Sequence, residues 1–270
     1  MTSRQLGQGA GRMATAMEGT RVKKRIVVAV ALAFLFALSS SYAQTTDFLE
    51  LVKTATALQV QEALQQGADL NARDNYGRTL LMHAAMSNRN PEVISALFKA
   101  GADINARDNY GWIALMLAAS GNQNPGVISA LVQAGADLNA RDRYGLTPLM
   151  YAASNNQNPK VITVLLNAEA NLNARDTSGL TPLMLTARNN QSPKVITALL
   201  AAGADVNARD AKGRTPLIAV AEHNENPEVL TALLKAGADA KAKDKAGKSA
   251  SDYAKSNYSL IDTDAYRRGA

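Results

Sequence analysis

Asn139-Ala-Arg-Asp142, near the middle of this 270-residue chain, recurs unchanged at 71–74, 105–108, 173–176 and 207–210, and a worn copy, Lys241-Ala-Lys-Asp244, closes the series. Every interval is 34 residues, so one register runs through more than two-thirds of the sequence without an insertion. A fixed period of this size marks a stacked solenoid, in which each unit buries its apolar face only against its neighbours. Such stacks offer a long surface for holding a partner and seldom carry catalysis by themselves.

The unit at 142–175 shows how one period folds. Asp142 and Gly145 bracket a tight turn, with glycine supplying a backbone angle that other residues avoid. Thr147 then caps a helix whose first position is Pro148, where a missing N–H costs nothing. Leu149, Met150, Ala152 and Ala153 form its apolar stripe, and the alanine pair lets neighbouring helices approach closely. Asn158-Pro159 repeats the device for a second helix, with Val161, Ile162, Leu165 and Leu166 as its buried face. In most copies Ala-Gly-Ala-Asp ends that helix with a left-handed glycine. The expected order is turn, helix, loop, helix, and a return to the next turn.

Gly-x-Thr-Pro-Leu, the alanine pair, Val-Ile-x-x-Leu-Leu and Ala-Gly-Ala-Asp-x-Asn-Ala together resemble the ankyrin repeat. The resemblance implies an all-α repeat solenoid, a helix-turn-helix stack with β-turn fingers. It covers five full copies at 74–107, 108–141, 142–175, 176–209 and 210–243, an N-terminal capping half-repeat at 44–73 and a polar C-terminal cap at 244–270. It also departs from the family in three ways. Thr-Pro-Leu-His becomes Thr-Pro-Leu-Met at 147–150 and 181–184 and Thr-Pro-Leu-Ile at 215–218, so the histidine that bonds within the helix turn is missing. The period is one residue longer than the family's usual unit, with the extra residue placed in an asparagine-rich loop between the helices, such as Asn155-Asn-Gln-Asn-Pro159. Stacked asparagines there predict a hydrogen-bond ladder between repeats. Finally, Ile113-Ala114 replaces Thr-Pro, forfeiting a cap worth roughly 1 kcal/mol, and Glu169 stands where Gly67, Gly101, Gly135, Gly203 and Gly237 stand in other copies.

The first 43 residues are a different kind of chain. Arg21, Lys23, Lys24 and Arg25 precede a 13-residue apolar run, Ile26 to Leu38, followed by small residues at Ser41 and Ala43. This pattern predicts a secretory signal peptide at 1–43, cut near Ala43-Gln44, with Met13 and Met17 as alternative starts. The run falls short of the roughly 20 residues a membrane span needs. The absence of cysteine leaves no site for a lipid at the cut and no disulfide, so no membrane anchor is expected after cleavage. The leader looks bacterial, which implies a protein exported to the periplasm or the medium. It also holds six of the 29 basic residues and one of the 23 acidic ones, leaving 23 against 22 in the rest. That balance gives no general pull toward nucleic acid.

A search for chemistry returns little. His83 and His223 lie four repeats apart, roughly 30–40 Å at the usual helix-layer spacing, too far to share a metal. No cofactor-binding loop or nucleophile elbow appears, and the recurring Asp103, Asp137, Asp205 and Asp239 read as turn residues rather than an acid/base pair. Variation concentrates at the turn tips, which the resemblance makes part of a partner-binding surface together with the inner helices. Asn75-Tyr76, Asn109-Tyr110 and Arg143-Tyr144 occupy the first three tips, with Arg78 and Trp112 two residues beyond the first two tyrosines. Tyr, Trp and Arg dominate binding hot spots because they bury much area at small entropic cost. Ser120, Gly121, Ser154, Asn155, Arg188 and Asn189 form a second rank on the inner helices. The sequence therefore reads as an exported, non-enzymatic module that binds a protein partner of unidentified kind and uses no cofactor. A secreted factor that binds a host or foreign protein is a second reading. An enzyme framed by the repeats is a third, against which stands the lack of a catalytic constellation.

Overall fold

A computed structural model describes residues 48–257; the leader, its cut site and residues 258–270 of the C-terminal cap lie outside that range. A helical turn at 48–51 is followed by twelve helices in two alternating sets. The inner set is α2 (Leu80–Ser87), α4 (Ala114–Gly121), α6 (Pro148–Asn155), α8 (Pro182–Asn189), α10 (Pro216–His223) and α12 (Ala250–Ala254). The outer set is α1 (Ala57–Gln65), α3 (Pro91–Lys99), α5 (Pro125–Gln133), α7 (Pro159–Asn167), α9 (Pro193–Ala201) and α11 (Pro227–Lys235). Inner helices pack on inner, outer on outer, and the two layers close on each other within each repeat. Among the described residues, β-pairing is limited to two isolated bridges, Arg73 with Thr79 and Lys243 with Ser249.

The predicted caps are in place. Thr147 and Thr181 accept from the backbone N–H of Met150 and Met184, and proline occupies the first turn of both helices. The methionine that replaces the family's histidine supplies a weaker acceptor: Met82 Sδ takes the N–H of Thr79 at 3.4 Å and Met150 Sδ that of Thr147 at 3.5 Å. Ile113, as expected, caps α4 with no side-chain bond. Leu149, Met150, Ala152, Ala153, Val161, Ile162 and Leu165 are all buried, each large side chain contributing about 2 kcal/mol of transfer free energy.

The asparagine ladder is present and continuous. Asn122 Nδ2 donates to the carbonyls of Ala85 and Asn88 in the preceding repeat, at 2.9 and 2.8 Å. Asn156 does the same to Ala119 and Asn122, Asn190 to Ala153 and Asn156, and Asn224 to Ala187 and Asn190. Asn88 begins the series on Val52 and Ala55, and Asn257 extends it to Ala221 and Asn224. The rungs run from side chain to main chain, each asparagine gripping the backbone of the one before. A second row lies outside it, where Asn124, Asn158 and Asn226 donate to Arg89, Gln123 and Gln191 while capping the outer helices. Ser192 interrupts that row and makes no cap bond.

Among the described residues Glu169 is the one non-glycine with a left-handed backbone, at φ 69°. Its side chain is exposed, so the strain is not offset by burial. Glu169→Gly is therefore expected to raise stability by about 1 kcal/mol in urea denaturation; an unchanged or lower midpoint would show that the glutamate is held by something other than the backbone.

Candidate functional site: the finger row and the inner-helix face

Each finger is built by one aspartate. Asp142 Oδ1 accepts the N–H groups of Tyr144 and Leu146, and its main chain closes the turn through Gly145 N–H. The other copies of the motif repeat this at Asp74, Asp108, Asp176, Asp210 and Asp244. The arginine before each aspartate ties one finger to the next: Arg107 Nη1 donates to Gly111 O and to Arg141 O, both at 2.8 Å. Asp103, Asp137, Asp205 and Asp239 take the N–H two residues on, the turn role expected of them.

This frame sets the aromatic residues differently. Tyr76, Tyr110 and Tyr144 stand outward at 53%, 47% and 67% exposure, beside exposed Asn75, Asn109 and Arg143. The rings of Tyr76 and Tyr110 meet at 6.4 Å between centroids, and the Arg78 guanidinium lies 5.3 Å over the Tyr76 ring. Arg78 also approaches the fully buried carboxylate of Asp108 at 3.5 Å, a pair long enough to leave Arg78 Nε and Asp108 Oδ2 without hydrogen bonds. Trp112 is not at the tip. It is half-buried against the ring of Tyr151, 4.3 Å away on the next inner helix.

Tyr151 was invisible as a site residue in the sequence. Its hydroxyl donates to Asp142 Oδ2 at 2.6 Å, and burial, with the Asp142 carboxylate, pushes its pKa far above the phenolic range. The same nine-residue spacing joins His83 to Asp74 and Tyr253 to Asp244. At four of the finger seams the tip amide bonds the preceding tip carbonyl, as Asn109 N–H does Tyr76 O and Thr177 N–H does Tyr144 O. Among the described residues no such bond joins Arg143 N–H to Tyr110 O, at the seam where Trp112 and Tyr151 pack.

The second rank lies on the inner helices. Asn155 Nδ2 donates to Ser120 Oγ at 2.8 Å, and Asn189 Nδ2 to Ser154 Oγ at 2.9 Å, which makes a polar row across three repeats. Gly121 leaves that row open at its exposed end. Arg188 is half-buried on α8, and beyond it Arg214 donates to Asp210 and Glu222 while His223 stands 3.2 Å from Glu222. Among the described residues no group of three or more His, Cys, Asp or Glu is placed to hold a metal ion.

The profile described as "Ankyrin repeats (3 copies)" matches this chain at residues 51–142, 89–176, 115–210, 149–244 and 183–261. The chain is also similar in fold to the human ASB11 ankyrin repeat domain, seen in a crystal structure, with a TM-score of 0.70. That alignment covers 82% of this chain and 95% of the other at 23% identity. No curated protein matches it in sequence.

His83 supplies a test of the electrostatics. It is 7% exposed, its Nε2 lies 3.1 Å from Asp74 Oδ2, and its Nδ1 is buried without a partner. Burial lowers its pKa, with Asp74 opposing. A folded-state pKa below the unfolded one means protonation favours unfolding, so this contribution is intact above the ordinary histidine pKa of about 6.5 and is lost as the pH falls from there through the folded value. Stability measured from about pH 7.5 to 5 should fall less steeply in His83→Gln than in the parent; parallel curves would contradict the assignment.

Proposed function

The chain belongs to the ankyrin-repeat family, and from that premise we propose that it is an exported module that binds a protein partner along its finger row and inner-helix face. Ankyrin repeats are in general protein–protein interaction modules, and nothing in the arrangement above groups side chains for bond-breaking chemistry. The observation that carries the proposal is the set of three exposed tyrosines on consecutive fingers, each held by a turn whose aspartate accepts the tyrosine's own N–H. Large rings on a rigid frame lose little entropy when covered, which is what binding anchors require. The Ser120–Asn155 and Ser154–Asn189 pairs add a polar floor with exposed amides. Export is supported by the basic and apolar leader, and a protein rather than nucleic-acid partner by the near-balanced charge that follows it.

The experiment is crosslinking capture from the native extracellular and periplasmic fractions, with the protein beside its Tyr76→Ala, Tyr110→Ala, Tyr144→Ala triple variant. Trp112 is left in place because its ring packs on Tyr151 and its removal would confound folding with binding. Capture of one protein that drops at least about tenfold with the variant is the expected result, given that truncating an aromatic anchor costs more than about 1 kcal/mol. Equal capture by both would exclude the tyrosine row.

A further inference from the structure

The arginines of the described residues fall into three groups. Arg73, Arg107, Arg141, Arg175 and Arg209 each donate Nη1 to two carbonyls, Arg78 approaches Asp108, and Arg214 donates to Asp210 and Glu222. Arg89 and Arg143 have no acceptor but lie exposed to solvent. Arg188 is half-buried, and among the described residues nothing accepts from its guanidinium. It lines a small cleft with Met184, Asp210, Arg214, Thr215 and His223.

The acids nearby are already committed. Asp210 accepts two backbone N–H groups and Arg214 Nε, and Glu222 accepts from Arg214 with His223 3.2 Å away. A guanidinium that no side chain already holds keeps its planar fork of donors available to a carboxylate arriving from outside. Its field is felt next door: burial lowers the pKa of His223, Glu222 opposes, and Arg188 and Arg214 lower it further.

The fingers on either side of this point differ in kind. The first three carry tyrosine; the last two carry Lys212, Lys245 and Lys248, all exposed and, among the described residues, without an ion pair. A terminal repeat must be polar to stay soluble, but that need does not select one sign. The N-terminal half-repeat shows as much, since its exposed face mixes Glu50 and Glu62 with partly covered Lys53. Lys212, moreover, sits on an internal finger.

We propose that Arg188, with Lys212 and Lys245 on the two fingers that follow it, forms an acid-binding sector that takes an extended, glutamate- or aspartate-rich segment of the partner protein. The proposal rests on the protein-binding reading above and assigns the chemistry of one end of the partner. Arg188 is the anchor, because its planar fork matches a carboxylate and it has no acceptor among the described residues. The lysines steer the segment in and make binding sensitive to salt.

The probe is a fluorescein-labelled peptide with glutamate at every third position of a Ser-Gly background, compared with its glutamine counterpart by fluorescence anisotropy against the full chain. The glutamate peptide is expected to bind at least about tenfold more tightly, and Arg188→Gln to remove at least about fivefold of that preference. Lys212→Gln with Lys245→Gln should weaken binding and flatten its salt dependence. Lys160→Gln with Lys194→Gln, on the outer helices, should leave it unchanged with the same net-charge loss. Equal affinity for the two peptides, or an equal loss from the outer-helix pair, would overturn the acid-binding sector. Neither result would touch capture by the tyrosine row, so the two readings fail separately.

Discussion

The structure depends on one buried hydrogen-bond pattern, the asparagine that ends each inner helix and reaches back to the loop before it. Asn156 shows the full set: Nδ2 gives two bonds to the preceding repeat, Oδ1 takes the N–H of Asn158, and its own carbonyl receives Asn190. Asn156, Asn190 and Asn224 have no exposed surface, so each bond forgone would leave a buried polar group unpaired. An insertion or deletion in any repeat would pull one asparagine out of line, and this accounts for the strict 34-residue step. The extra residue in the inter-helix loop gives the ladder its place.

A fixed step on the loop side holds the fingers on the other side at a fixed spacing. Arginines staple each turn to the next, and the aspartates consume the polar groups of the turn itself, so the tip side chains vary without cost to the frame. Where the frame is imperfect, the defects gather. Ile113 gives no cap, Trp112 packs on Tyr151, and the tip bond between Tyr110 and Arg143 is missing, all at one seam. Glu169 and Ser192 are separate weak points, one strained and one uncapped. A solenoid tolerates such losses locally because each repeat leans only on its neighbours.

Much of this is legible in the residues themselves. Thr147-Pro148 and Asn158-Pro159 name their helix starts, Gly145 its turn, and the asparagine loops their ladder. What the residues did not reveal was direction in space. Trp112 shares a register with Arg78, yet it turns inward, because Tyr151 on the following inner helix offers a ring to pack against. The pairs Asp74–His83, Asp142–Tyr151 and Asp244–Tyr253 share a nine-residue spacing that was present to be read, but only three of the six aspartates use it, which hid the pattern. Arg188 looked like one more inner-helix contact. Its lack of an acceptor is a property of its surroundings, which no single repeat encodes.

The finger row therefore works as a binding edge only as long as the loop side keeps its step. The most direct test replaces the central rung. Urea unfolding of Asn156→Ala, compared with Asn155→Ala one residue away on the exposed row, separates the ladder from the surface. If the ladder sets the repeat, Asn156→Ala loses about 2–4 kcal/mol and Asn155→Ala under about 1 kcal/mol. Equal, small losses from both would mean that helix packing alone sets the repeat and that the ladder merely follows it.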